Sequence, residues 1–195
     1  MRTQVLFHSL PQPLIPKKLN LKNSRLSFAV TKLIVKVADV DEVIDPSLTP
    51  DGVVMSLAKQ KAQAVASENP DSLVIGADTV VVLDGKILGK PKSEENAVEL
   101  LTMLSGRVHT VYTGVALIKG EKVKTFCEAT QVEFYPLTDE EIKAYVATKE
   151  PMDKAGAYGI QGKGCILIRK IDGDYFNVVG LPVSAVYREL RDFDA

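Results

Sequence analysis

The residues best suited to chemistry in this chain lie between positions 73 and 91, LVIGADTVVVLDGKILGKP. Asp78 sits inside a run of apolar and β-branched residues that reads as a core strand. An ionised carboxylate there costs several kcal/mol in order of magnitude unless it is paired, hydrogen-bonded or metal-bound. The plain alternative is a carboxylate that bonds nearby backbone amides. Lys90, between Gly89 and Pro91, is a point cation on a constrained backbone and suits phosphate oxygens, or else is a solvated turn lysine. Arg107, after Ser105-Gly106, invites the same two readings. The acidic segment VADVDEVID offers Asp39, Asp41 and Glu42; one of them could join Asp78 around a hard divalent cation, though exposed loop acids look the same. From Lys149 to Gly164, KEPMDKAGAYGIQGKG combines glycines that permit close backbone approach with Gln161, which carries both a donor and an acceptor for a base edge.

Other chemistries are disfavoured. There is no G-x-x-x-x-G-K-[ST], and the glycines from 159 to 164 neither follow a clear strand nor open a helix, which counts against kinase and Rossmann readings. His8 and His109 stand alone, without metal or triad spacing, and read as structural or surface histidines. Cys127 and Cys165 fall in apolar strand-like segments and read as reduced core thiols of a cytoplasmic protein. The net charge of -1 gives no general attraction to a nucleic acid polymer or an anionic membrane, and no apolar run is long enough to span a bilayer.

The elements that must position these residues are legible from periodicity and caps. Thr49-Pro50-Asp51 opens a helix whose apolar stripe runs from Val54 to Ala66, with Lys61 beside it. Asp84-Gly85 turns the central strand into a hairpin. Ser93 caps a helix with Ala97, Leu100, Leu101 and Leu104 on one face, and Gly106 ends it. Strands follow at 108–118 and 123–134. Thr138 and Glu141 form a capping box for a helix to about Thr148, and Pro151 prevents its continuation. Cys165 to Ile171 reads as a strand, Asp172-Gly173-Asp174 as a turn, and 182–193 as a closing helix with Val183, Val186 and Leu190 inward. Helices and strands alternate early and hairpins dominate later, so the expected fold is a single α/β domain over 1–195 with a mixed sheet.

Taken together, GADTVV, LGKP, LSGR-x-H-x-V-x-TG, KEPMDKAGAYGIQG and DGDYFNVVGLP resemble the Maf family of nucleoside triphosphate pyrophosphatases, over about residues 38–195. The A-x-x-IQG loop resembles the branch acting on dTTP and UTP. The resemblance implies an elongated sheet flanked by helices, two lobes around a cleft like the inosine triphosphate pyrophosphatases, and often a homodimer. It implies Asp78 as catalytic proton acceptor and Thr79 and Gln161 as specificity positions. Glu42, Lys61 and Lys90 match further polar site positions, with Mg²⁺ or Mn²⁺ held by Glu42 and Asp78. Rival readings are a house-cleaning enzyme for modified nucleotides and a non-catalytic regulator of septum formation. The chain departs from the family near its start. In place of a strand followed by Ser-x-Ser-Pro-Arg-Arg it reads VLFHSLPQPLIPKKLNLKNSRLSFAV, where Pro16-Lys17-Lys18 is a degenerate echo. A shifted reading frame over roughly 3–36 would produce such a loss followed by recovery. Lysine there would lack the planar fork of arginine.

Overall fold

The computed structural model describes residues 4–7, 34–38 and 40–193. His8, Lys17, Lys18 and Asp39 lie outside the described residues. Strands β1 (Gln4–Phe7), β2 (Ile34–Val37), β3 (Val74–Leu83), β4 (Lys86–Leu88), β5 (Val108–Lys119), β6 (Lys122–Phe134) and β7 (Ile168–Asp172) form one sheet in the order β2-β1-β3-β5-β6-β7, with β4 also on β3. The expected α/β class holds, but the mixed sheet does not: every strand pair among the described residues is antiparallel. The reason lies in the connections. Asp84 and Gly85, both at positive φ, reverse the chain into β4. Helix α2 (Glu94–Leu104) then carries it back before β5 descends beside β3. The β5–β6 hairpin pairs continuously from Lys119↔Lys122 to Val108↔Glu133, roughly 40 Å at the usual rise per residue.

Strand alternation assigns the two faces. On one, Val74, Val80 and Val82 of β3, with Ala116 and Ile118 of β5, pack on helix α1 (Pro50–Ser67) through Val54, Ala58, Ala62 and Val65. Two glycines permit the approach. A Cβ on Gly114 would lie 2.3 Å from the Val54 carbonyl carbon, and one on Gly76 would lie 2.7 Å from the Ala58 oxygen. The opposite face has two separate covers. Leu73, Val115 and Leu117 meet Val186 and Phe193 of helix α5 (Val183–Phe193). Val81, Leu83 and Val111 meet α2 and helix α3 (Asp139–Ala147). The caps follow the sequence. Ser93 accepts from the Asn96 amide, and Thr138 and Glu141 close a reciprocal capping box.

Three expectations are corrected. β7 begins at Ile168, because residues 163–167 form a 3-10 turn whose Lys163 and Gly164 amides are captured by Glu150. Cys165 is accordingly exposed and Cys127 half-buried, so neither is a core thiol. Val183, in the first turn of α5, is 49% exposed, whereas Val186 is buried. A short helix α4 (Tyr175–Val179), capped by Asp174 and closed by Gly180 at φ 114°, fills the stretch between the expected turn at 172–174 and the closing helix.

Candidate active site

Asp78 and Thr79 are consecutive on β3 and therefore face opposite sides of the sheet. Asp78 points to α1. Its Oδ1 lies 2.5 Å from Lys61 Nζ, which also lies 2.7 Å from Glu42 Oε1. The stem of Lys61 is buried beside the α1 stripe, with the side chain 4% exposed, against 13% for Asp78 and 44% for Glu42. Two carboxylates thus share one ammonium, which explains how a half-buried acid is tolerated here. Burial raises the Asp78 pKa, and the negative charge of Glu42 adds to this; the hydrogen bond and charge of Lys61 and the charge of Lys90 pull it back without cancelling the rise. For Lys61, burial works against its charge, but the bonds to Asp78 and Glu42 outweigh it and lift the pKa. The ammonium stays protonated while Asp78 keeps a raised affinity for a proton. Lys90, in the loop after β4, is close enough for its charge to act on Asp78.

Thr79 points the other way, into a cavity of about 310 Å³ enclosed by β3, β5, the 150–162 segment and α4. Gln161 lines the same cavity, as do Tyr158, Glu150 and Lys154. The Gln161 loop is folded around one carboxylate. Glu150 Oε1 accepts from the Tyr145 hydroxyl (2.9 Å) and the Gly164 amide (3.1 Å), and Oε2 accepts from the Lys163 amide (2.9 Å). Tyr145 in turn accepts from the Gly159 amide at 3.1 Å. A Cβ on Gly162 would lie 2.4 Å from Glu150 Oε2, so a side chain there would push the carboxylate away from its donors. Burial pushes the Glu150 pKa up, and the two amides and the Tyr145 hydroxyl more than offset it, leaving it lowered. Below the loop, His109 is buried, its Nε2 2.8 Å from the Tyr158 hydroxyl and its ring edge-on to Phe134 and Tyr158. Burial pushes it down to about 4, so it is a neutral structural residue.

The sequence candidates therefore fall into two groups. Asp78, Lys61, Glu42 and Lys90 gather about one face of β3, and Thr79 and Gln161 line the cavity on the other. The strand edge between them is interrupted. On the side away from β5, β1 pairs with Val74 and Ile75 and β4 with Val81 to Leu83, and among the described residues no strand pairs with 76–80 there. Arg107 is not in either group; it forks onto Asp84 at 2.7 Å. Asp41 is exposed. Among the described residues no cluster of three or more His, Cys, Asp or Glu side chains could cage a metal. Glu150, Thr113 and Tyr158 escaped the sequence reading. The dense glycine spacing after Glu150 is the signal that a compact loop must be anchored there.

The protein is thus of the α/β class, with a long antiparallel sheet that carries a carboxylate–ammonium cluster on one face and a cavity lined by Thr79 and Gln161 on the other. Residues 21–193 match the Maf family, described as Maf-like protein, and the chain belongs to it. It is 54% identical over 169 residues to a dTTP/UTP pyrophosphatase of Bacillus cereus (strain B4264), covering 87% of this chain and 88% of that protein. A dTTP/UTP pyrophosphatase of Bacillus cytotoxicus (strain DSM 22905 / CIP 110041 / 391-98 / NVH 391-98) is 54% identical over 170 residues, 87% and 89% of the two chains. One of Bacillus thuringiensis subsp. konkukian (strain 97-27) is 56% identical over 158 residues, 81% and 83%.

Proposed function

We propose that this protein hydrolyses dTTP and UTP between the α and β phosphates, releasing the nucleoside monophosphate and pyrophosphate. The observation that carries the reading is Asp78, half-buried, bonded to Lys61 and adjacent in the chain to a residue that lines the Gln161 cavity. Water is the nucleophile. Its oxygen forms a bond to the α phosphorus, the bond from that phosphorus to the bridging oxygen breaks, and the proton goes to the Asp78 carboxylate. General-base help of this kind contributes about 10²- to 10⁴-fold. Burial raises the Asp78 pKa, which suits the role, because a stronger base drives the transfer better. Lys61 orients the carboxylate, and Lys61 and Lys90 supply positive charge for the triphosphate. Thr79 and Gln161 contact the pyrimidine edge in the cavity, while the phosphates reach Asp78 across the interrupted edge of β3.

The donor set fits a hard divalent cation that arrives with substrate. Glu42 and Asp78 each commit one oxygen to Lys61, and Mg²⁺ or Mn²⁺ in such sites needs one or two carboxylates beside phosphate oxygens. Bound there, the cation would neutralise charge on the phosphates. Among the described residues no helix is long and apolar enough to cross a membrane. A cytoplasmic location is the one we expect. A homodimer is the assembly we expect.

The test is product analysis with dTTP and metal. Asp78→Asn should lower kcat by about 10²- to 10⁴-fold, and undiminished pyrophosphate release would remove Asp78 from the chemistry. Gln161→Ala should flatten the preference for dTTP and UTP over other triphosphates. An unchanged preference would move base reading elsewhere.

A further inference from the structure

Thr79 and Thr113 face each other in register across β3 and β5, on the face that carries the cavity. Their hydroxyl oxygens lie 2.8 Å apart, and Thr113 Oγ1 lies 2.9 Å from the main-chain carbonyl oxygen of Asn177. Each hydroxyl owns a single proton. A carbonyl oxygen only accepts, and Thr113 is fully buried, so its proton must go to Asn177. Turned toward Thr79, it would leave two oxygens face to face at 2.9 Å with no proton between them and no water to intervene. Thr113 Oγ1 is then an acceptor for Thr79, and the one Thr79 proton is consumed there. Toward the cavity, Thr79 offers lone pairs alone.

The carbonyl that begins this relay is held in place. Asn177 is fully buried, and its amide donates to the Val111 carbonyl and to Thr130 Oγ1, each at 3.0 Å, which ties α4 to β5 and β6. Thr130 Oγ1 also donates to the Asp174 carbonyl (3.1 Å) and accepts from the Asp174 amide (3.0 Å), fixing the start of α4. The Gly180 amide donates to the same Asn177 oxygen at 3.0 Å. The relay therefore has a rigid end and cannot reverse by rotating α4.

We propose that Thr113 is a positioning residue for base selectivity: with the Asn177 main chain it locks Thr79 as an acceptor, so the cavity takes a pyrimidine carrying N–H at ring position 3. Uracil and thymine carry that proton. Cytosine carries a lone pair there and would meet the oxygen lone pairs of Thr79. The inference rests on Thr79 being a base contact, as in the function proposed above.

The experiment compares kcat/KM for dTTP and dCTP across Thr79→Val, Thr113→Val and Thr113→Ser. With Thr113→Val the freed Thr79 hydroxyl can turn and donate to cytosine, and dCTP should gain on dTTP by about tenfold, the size of one buried hydrogen bond made or refused. Thr113→Ser keeps the hydroxyl and should keep the wild-type ratio. If Thr79→Val leaves the ratio untouched, Thr79 does not read the base and the underlying assignment is wrong. If Thr79→Val moves the ratio while Thr113→Val does not, the relay is wrong and the assignment stands. A substrate-side test needs no variant to fold: the wild-type protein should turn over 3-deaza-dCTP, with C–H in place of the ring nitrogen, about tenfold better than dCTP. Equal or better turnover of dCTP would overturn the lock.

Discussion

Replacing Lys61 with methionine isolates the electrostatics of the site, because methionine fills much of the same stem volume and removes only the charge and its bonds. Lys61 Nζ lies 2.5 Å from Asp78 and 2.7 Å from Glu42, but the two acids would respond differently. Glu42, 44% exposed, can turn to water, and pairs of that kind contribute about 0–1 kcal/mol. Asp78, 13% exposed, cannot. Removing one partner of a buried pair costs about 3–5 kcal/mol, and since Asp78 retains some solvent contact the lower end, about 3 kcal/mol, is the expectation. For a chain of this size that is about 6–12 °C in Tm. The deficit must also depend on pH. The Asp78 pKa is already raised by burial, and loss of Lys61 removes the largest opposing influence. An acid with a raised folded-state pKa favours the folded state when protonated, so this contribution is full below the ordinary carboxylate range and is lost as pH rises through the folded value. The Lys61→Met deficit should therefore be largest at pH 8 and narrow toward pH 5 in urea titrations. Adding Asp78→Asn to Lys61→Met should recover more than half of it, about 2 kcal/mol. A double variant as unstable as Lys61→Met, or a deficit equal at both pH values, would refute the buried-charge account.

Glu150→Ala should raise KM for dTTP and cost about 2 kcal/mol, because the Tyr145 hydroxyl and the Lys163 and Gly164 amides lose a charged acceptor and the Gln161 loop loses its anchor. The Glu150 pKa is lowered by those same donors against burial, so its contribution is full above the ordinary glutamate range and is lost as pH falls through the folded value; thermal melts of the variant should lack that acid loss. His109→Phe should keep the ring packing on Phe134 and Tyr158 and remove a different pH dependence. Burial takes His109 from 6.5 down to about 4, so the wild-type protein should lose about 3 kcal/mol as pH falls across that window, and denaturant titrations of the variant should show that loss absent.

What could be read from the residues follows from how local each signal is. Helix α1, the Asp84-Gly85 reversal, the Ser93 cap and the Thr138–Glu141 box are encoded within a few positions, and each forms as its residues dictate. The start of β7 is not local. Cys165-Ile166-Leu167 has a strand-forming composition, yet Glu150, distant in the chain, takes the amides at 163 and 164 and holds the segment in a 3-10 turn. Helix α4 carries a readable cap at each end, Asp174 and Gly180, but its five residues are too few to show a period. The sheet direction likewise depended on β4, whose three residues reverse the sense of everything that follows. At the site, Asp78 announced itself by being charged among apolar neighbours, and Lys61 by its place beside a buried stripe. Thr113 gave no such signal, since a threonine in a strand is ordinary until register sets it opposite Thr79.

The adjacency of Asp78 and Thr79 is the feature that joins the two halves of the site. Consecutive strand residues serve opposite faces, so a catalytic carboxylate and a base-reading hydroxyl placed one after the other cannot both reach a ligand that stays on one side of the sheet. They can reach a ligand that crosses it. The interval 76–80, between the last β1 pair at Ile75 and the first β4 pair at Val81, is where that edge of β3 has no strand partner among the described residues, and there we place the crossing. A nucleotide suits that demand, with a flat polar-edged base for the cavity and a flexible anionic chain for the lysines. The close packing of α1 at Gly76 and Gly114 then acquires a functional meaning. It brings α1, and Lys61 with it, against the Asp78 strand, so the same contacts that seal the core also hold the ammonium on the acid to which we assign the proton transfer.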